Sequence, residues 1–395
     1  MHYLELIRTR IERVKHDLPK LVALGESIAR PLLEGGNLFA PQIGTYWPSE
    51  FGGRAGGLMG LAASDCVAQS EKDVAFTTLP DARRWKPDDD PRWRKLIESP
   101  ATIFINGRPE DLAGACPLDR IAGFTGGAGA EEGLCARADL KPLAPVRPFE
   151  QLLRGWLTTG EMIAACTRAG RMPIIWMSVW LEGALVRNAS FVRHDNLREP
   201  WSAPLFHDSI YVPPIAPGAV AKGFLAELEA IYILLIAQRD RIAQAAQWMS
   251  EALAARKRVS TNLVGHSYPE ILEIAKPNDY PLAWRHTRSD LREAHHPDLA
   301  AGEVALHLGY SPVDVEDVQR ILDRGVRFIY TSPYGRPEGL QDHPNLLWLD
   351  LPWRPGDATV DVPGYSVRIL PMSSSAHTML YFALLCEVAE RMRWR

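Results

Sequence analysis

Gly44-Thr-Tyr-Trp-Pro-Ser-Glu50 and Gly265-His-Ser-Tyr-Pro-Glu270 share one pattern: each follows a short apolar run and leads into a helical stretch. Working outward, Ala169-Gly-Arg-Met-Pro-Ile-Ile-Trp-Met-Ser178 pairs with Arg324-Gly-Val-Arg-Phe-Ile-Tyr-Thr-Ser332, a helix end followed by a buried strand. Tyr211-Val-Pro-Pro214 with its apolar helix pairs with Ile369-Leu-Pro371 and the helix beyond it. Three correspondences in one order predict two homologous α/β units in tandem. Alternation of helical and strand patterns predicts parallel sheets between helical layers. The expected units are 1–215, with an insertion at about 59–150, and 256–395, joined by a helical connection at 216–255.

Apolar residues at spacings of three and four (Leu4, Ile7, Ile11, Val14, Leu18, Leu21) predict one or two helices over 3–34. Strands are expected at 37–40, 101–107, 173–178, 258–264, 303–308 and 326–331, and a closing helix at 376–393. The apolar runs Ala230–Ala237 and Met379–Cys386 are expected to be buried between layers or subunits.

Composition excludes several classes. With 395 residues, 46% apolar and 23% charged, the chain is neither disordered nor fibrous. A net charge of −4 provides no cationic field for nucleic acid or an anionic membrane. No apolar run approaches the roughly 20 residues of a membrane span. The charged, amphipathic start lacks a signal peptide's apolar core, so a cytoplasmic location is expected. Five scattered cysteines fit reduced thiols, with Cys166 and Cys386 in the core. No metal-ligand spacing stands out, and neither a metal nor a cofactor is expected.

Three stretches resemble the SIS (sugar isomerase) family. Glu50-Phe-Gly-Gly-Arg-Ala-Gly-Gly-Leu58 is similar to the Glu-x-x-x-Arg-Ala-Gly-Gly-Leu stretch of phosphoheptose-isomerase-like proteins, and Val264-Gly-His-Ser267 to their Gly-His-Ser loop. The third comprises Gly356-Asp-Ala358, Pro371, Ser373-Ser-Ser375 and the closing helix. The resemblance implies two tandem three-layer α/β/α (SIS, Rossmann-like) domains, a sugar or sugar-phosphate ligand and a homodimer. In the family, tandem SIS domains form the isomerase half of glucosamine-6-phosphate synthase. Its glutaminase half needs a Cys after Met1; position 2 is His, so that activity is not expected.

Ligands of open parallel sheets sit where loops leave the carboxyl ends of the strands. Unpaired N–H groups at helix N-termini, with hydroxyl side chains, suit anions there. The matching residues are Gly44, Thr45 and Tyr46; Thr158 and Thr159 before Gly160; Gly265 and Ser267; Ser311; and Ser373, Ser374 and Ser375. The same residue types also serve as ordinary helix caps. Isomerisation needs a base and a ring-opening group. Glu50 is the first candidate base and Glu270 its counterpart; His266 and His377 are candidate ring openers; Arg54 would bind an anion or pair with Glu50. Glu161, Pro312 and Asp314 depart from the family's phosphate loop. Acidic residues facing the crevice would favour an amino or neutral sugar over its phosphate. Two readings follow: a metal-independent sugar isomerase or deaminase, or a non-catalytic sugar-binding regulator with a degenerate phosphate loop.

Overall fold

Each half of the chain begins with a pair of helices. In the computed structural model, the residues described are 2–43, 47–62, 68, 70–79, 87–112, 118–127, 146–192, 203–264, 284–289, 299–309 and 314–393. The first half opens with α1 (His2–His16) and α2 (Leu18–Leu33), the second with α7 (Ala219–Ala237) and α8 (Arg239–Ala254). On α1, Tyr3, Leu4, Ile7, Ile11 and Val14 form one buried face, as the spacing predicts.

The first pair leads into β1 (Leu38–Phe39), α3 (Trp47–Phe51), β2 (Leu61–Ala62), β3 (Val74–Thr78), α4 (Pro91–Glu98), β4 (Thr102–Asn106), β5 (Ile121–Phe124) and α5 (Arg147–Arg168). The short α6 (Ala184–Ala189) lies before α7. The second pair leads into β6 (Val259–Val264), β7 (Trp284–Ser289), β8 (Val304–Leu308), α9 (Val315–Asp323), β9 (Arg327–Ser332) and β10 (Leu346–Asp350). The antiparallel pair β11 (Ala358–Val360) and β12 (Ile369–Pro371) precedes α10 (Ser373–Met392).

Both five-stranded sheets are parallel, and both are wound the same way. The first runs β2-β1-β3-β4-β5 and the second β7-β6-β8-β9-β10. Each is therefore in the order 2-1-3-4-5 of its own half, a doubly wound α/β arrangement. Side chains alternate between faces, so each sheet feeds two cores. Phe104 enters the large central core while Ile103 and Ile105 enter an outer one; Ile329 enters the central core while Phe328 and Tyr330 enter another. Burial of each such side chain contributes about 1.5–3 kcal/mol.

The central core is made by helices of both halves. α5 packs on α2 of its own half and on α7 of the other; α10 packs on α8 of its own half and on α1 of the other. The long helix that follows each sheet, α5 or α10, thus takes the other half's first helix as a neighbour.

Several expectations change. Residues 59–150 are no insertion, because they carry β2 to β5, four of the five strands of the first sheet. Residues 173–178 form no sheet strand, only the isolated bridges Leu58–Ile175 and Pro173–Phe206. In element order the counterpart of β9 is therefore β4, and that of α10 is α5 rather than α7. The helical stretch at 216–255 stands where α1 and α2 stand in the first half. Met379–Cys386 is fully buried, but Ala230–Ala237 is not: Ile233 is 64% exposed. Cys166 and Cys386 are in the core, and burial pushes the Cys166 thiol up to about 12. No helix among the described residues is long and apolar enough to cross a membrane.

Candidate functional site

In a sheet of order 2-1-3-4-5, chain direction on the sheet reverses between the first and third strands, which opens a crevice at their carboxyl ends. Here those points lie between β1 and β3 and between β6 and β8. The stretch Gly44-Thr45-Tyr46 follows β1, Gly265-His266-Ser267 follows β6, and Ser311 follows β8. These seven residues and Glu270 lie outside the described residues, so only their place in the chain is stated.

Four other nominated residues meet in one buried cluster between the halves. Glu50 on α3 and Arg54 just beyond it are fully enclosed, and Glu50 Oε2 lies 3.4 Å from Arg54 Nη1. Ser374 Oγ donates to Glu50 Oε2 at 2.9 Å, and Trp156 Nε1 of α5 donates to Oε1 at 3.1 Å. Arg54 Nη2 donates to Ser373 Oγ at 3.0 Å and lies 3.1 Å from Asp357 Oδ2. Burial raises the Glu50 pKa, with the Arg54 charge and both donated hydrogen bonds opposing it.

Asp357 joins this cluster to the start of α10. Its Oδ1 accepts from the backbone N of Met372 at 3.1 Å and of Ser373 at 2.7 Å. A carboxylate of the chain itself thus occupies the anion-favouring helix end. Asp357 and Leu370 are both held at positive φ, 69° and 64°. The left-handed region costs non-glycine residues of order 1–3 kcal/mol, so packing must hold both in place. Gly56 explains part of that packing: a Cβ there would lie 2.7 Å from Ala358 Cβ and 2.9 Å from Leu370 N. Asp357 and Trp156 were not nominated from sequence. The only signal for Asp357 was its Gly356-Asp-Ala358 context.

His377, one turn into α10, is fully enclosed and stacks edge-on to Trp353 at 5.0 Å. Burial, its largest cause, lowers its pKa to about 3, so the ring is neutral at pH 7. The Gly309 backbone, just past β8, opposes that shift, yet no hydrogen bond of good geometry reaches Nδ1 or Nε2. His377 therefore borders the carboxyl end of β8 with polar capacity unused. Ser375 Oγ and Thr158 Oγ1 are also buried without partners.

Thr158 and Thr159 do not form a loop. They lie in the interior of α5, where Thr159 Oγ1 donates to Gly155 O at 2.8 Å. Gly160 is in that helix because a Cβ would sit 2.6 Å from Val220 and 2.8 Å from Leu370. The acidic departures are helix caps. Glu161 accepts from Gly218 N at 2.7 Å and Ala221 N at 2.9 Å at the start of α7, and Asp314 accepts from Glu316 N at 2.8 Å at the start of α9. The expected preference for an amino sugar over its phosphate rested on these carboxylates facing the ligand, and it loses that basis. Replacing Glu161 by glutamine should lower stability by about 1–2 kcal/mol, since one neutral acceptor replaces two charged contacts. Urea unfolding checks this; an unchanged midpoint would contradict the capping role.

No family model matches the chain, and no curated protein matches it. Among solved structures, the C-terminal domain of glucosamine-fructose-6-phosphate aminotransferase from Francisella tularensis is similar over 99% of this chain and 95% of that one, at 10% identity and a TM-score of 0.47. A "Putative sugar binding protein" from Salmonella typhimurium LT2 covers 98% and 99%, at 10% identity and 0.45. A "putative phosphosugar isomerase" from Bacillus subtilis covers 95% and 96%, at 14% and 0.39. At these identities and scores they assign no function. The fold stands on its own strand order.

Proposed function

We propose that this chain is a double SIS-type protein that binds a sugar or sugar derivative at the carboxyl ends of its sheets, with Glu50, Arg54 and Asp357 acting as an internal clamp. The observation that carries this reading is the shared 2-1-3-4-5 winding. It puts the switch points of both sheets, where doubly wound sheets take ligands, at the ends of β1 and β6, which the motif-bearing stretches follow in the sequence. His377, beside the end of β8 with free ring nitrogens, supports the second of these points. A homodimer and two units, near 1–215 and, with the helical stretch 216–255 counted to the second, 216–395, belong to the same proposal; a monomer in light scattering would remove the dimer from it.

A second reading, an aldose–ketose isomerase with Glu50 as base, is favoured by the raised Glu50 pKa, which suits a proton carrier. Against it, both Glu50 oxygens are engaged and the side chain is sealed from solvent. The experiment is a thermal-shift panel of hexoses, amino sugars and their 6-phosphates, followed by incubation of each binder in D2O. A base that moves the C2 proton exchanges it for deuterium, which NMR detects. Binding without deuterium at C2 is the expected result. Deuterium incorporation lost in Glu50→Gln would establish the isomerase instead, and no stabilisation by any sugar would remove both readings.

A further inference from the structure

The carboxyl ends of β4 and β5 hold a polar network that the switch-point reading does not use. Asp111, in the turn after β4, is buried and accepts from Arg108 N at 3.0 Å and from Arg108 Nη2 at 3.4 Å. Arg147 Nη2, at the start of α5, lies 3.2 Å from Asp111 Oδ2, the oxygen that also accepts from Arg108 N. With its amide oriented by the donors around it, Gln151 accepts from Arg147 Nε at 3.2 Å and Nη2 at 3.3 Å. Arg147 Nη1 is left with no hydrogen-bond partner, although the residue is only 7% exposed.

Each neighbouring guanidinium has a carboxylate beside it. Arg154 pairs with Glu150 at 2.8 Å and Asp17 at 2.7 Å, and Arg10 lies 3.9 Å from Glu150. Among these described residues, the guanidiniums of Arg10, Arg108, Arg147 and Arg154 meet the carboxylates of Asp17, Asp111 and Glu150. Glu110, beside Arg108 at 3.9 Å, is exposed. A buried guanidinium N–H without an acceptor is destabilising, because it has lost its water and gained nothing in exchange. α5 begins without a side-chain cap, so its dipole adds positive potential at the same place.

We infer that Arg147 anchors an oxyanion-binding subsite, with Nη1 donating to a phosphate or carboxylate oxygen and Arg108 as the second cation. Guanidinium binds both groups through the same planar donors. β4 lies one strand beyond β3, about 5 Å further across the sheet, so the subsite is separate from the crevice between β1 and β3. It goes beyond the sugar-binding reading and holds or fails independently of it.

The test titrates the wild-type chain with inorganic phosphate and, separately, with acetate, each against chloride at matched ionic strength, following Tm. A saturating rise with phosphate alone assigns a phosphate site, and a rise with both a site for either group. Arg147→Gln should raise the half-saturating concentration about tenfold or more, a loss of roughly 1.4 kcal/mol in binding. Arg108→Gln, at a more exposed side chain, should raise it several-fold and serves if Arg147→Gln does not fold. No rise in wild type with either anion, or an unchanged response in the variants, would overturn the subsite. A response to phosphate with no response to any sugar would leave it standing while removing the proposed function.

Discussion

Replacing Arg54 by methionine should destabilise the protein by about 3–5 kcal/mol, the usual cost of leaving a buried charge without its partner. Glu50 and Asp357 both face this guanidinium, and all three side chains are essentially closed to solvent. The α10 N-terminus holds part of the Asp357 charge, so Glu50 would be the more exposed to the loss. Adding Glu50→Gln to Arg54→Met should therefore recover part of the lost stability, because a neutral amide needs no counter-charge. Urea unfolding at pH 7.5 measures both. A loss below about 1 kcal/mol for Arg54→Met would mean that the cluster is hydrated and is no clamp.

The second large effect is a pH dependence centred on His377. Its folded pKa of about 3 lies well below the ordinary value of 6.5. Below pH 6.5 the unfolded chain binds a proton that the folded chain refuses, so stability falls as the pH falls towards 3. The loss from this residue reaches about 2 kcal/mol at pH 5. Glu50 acts with the opposite sign: its raised pKa contributes stability that is present below the ordinary carboxylate range and fades as the pH rises. Comparing wild type with His377→Gln cancels that contribution. The difference between the two unfolding free energies should shift by about 2 kcal/mol between pH 7.5 and 5. A constant difference would show that His377 is protonated or solvated in the folded state.

Much of the second sheet could be read from sequence. β8 and β9 are runs of five or six residues whose apolar and β-branched side chains are buried on both faces, and β6 is a run of similar length and composition. The first sheet was harder because β1 and β2 have two residues each and β5 contains Gly123. Its most strand-like competitor, 173–178, gains only isolated bridges. Thr158-Thr159-Gly160 has the composition of a loop, yet the glycine serves a close helix contact; Gly25 on α2 does the same, since a Cβ there would lie 2.7 Å from Met162 N. Glycine marks close approach as well as turns.

The candidate site was legible in part. Glu50, Arg54, Ser373 and Ser374 were nominated from separate stretches and do meet. What they meet around, Asp357, lies about 300 residues from Glu50 in the chain, and no local pattern announces such a partner. Glu161 and Asp314 were read by charge alone, whereas each answers the unpaired N–H groups of a helix start.

Hydrogen–deuterium exchange of the protein with and without the sugar that most raises its Tm tests the central claim most directly. The account predicts that protection gained on binding is confined to peptides spanning 38–51 and 259–267, the carboxyl ends of β1 and β6 and the stretches that follow them. Protection at the amino ends, around Lys72 and Lys257, with none beyond β1 or β6, would contradict it.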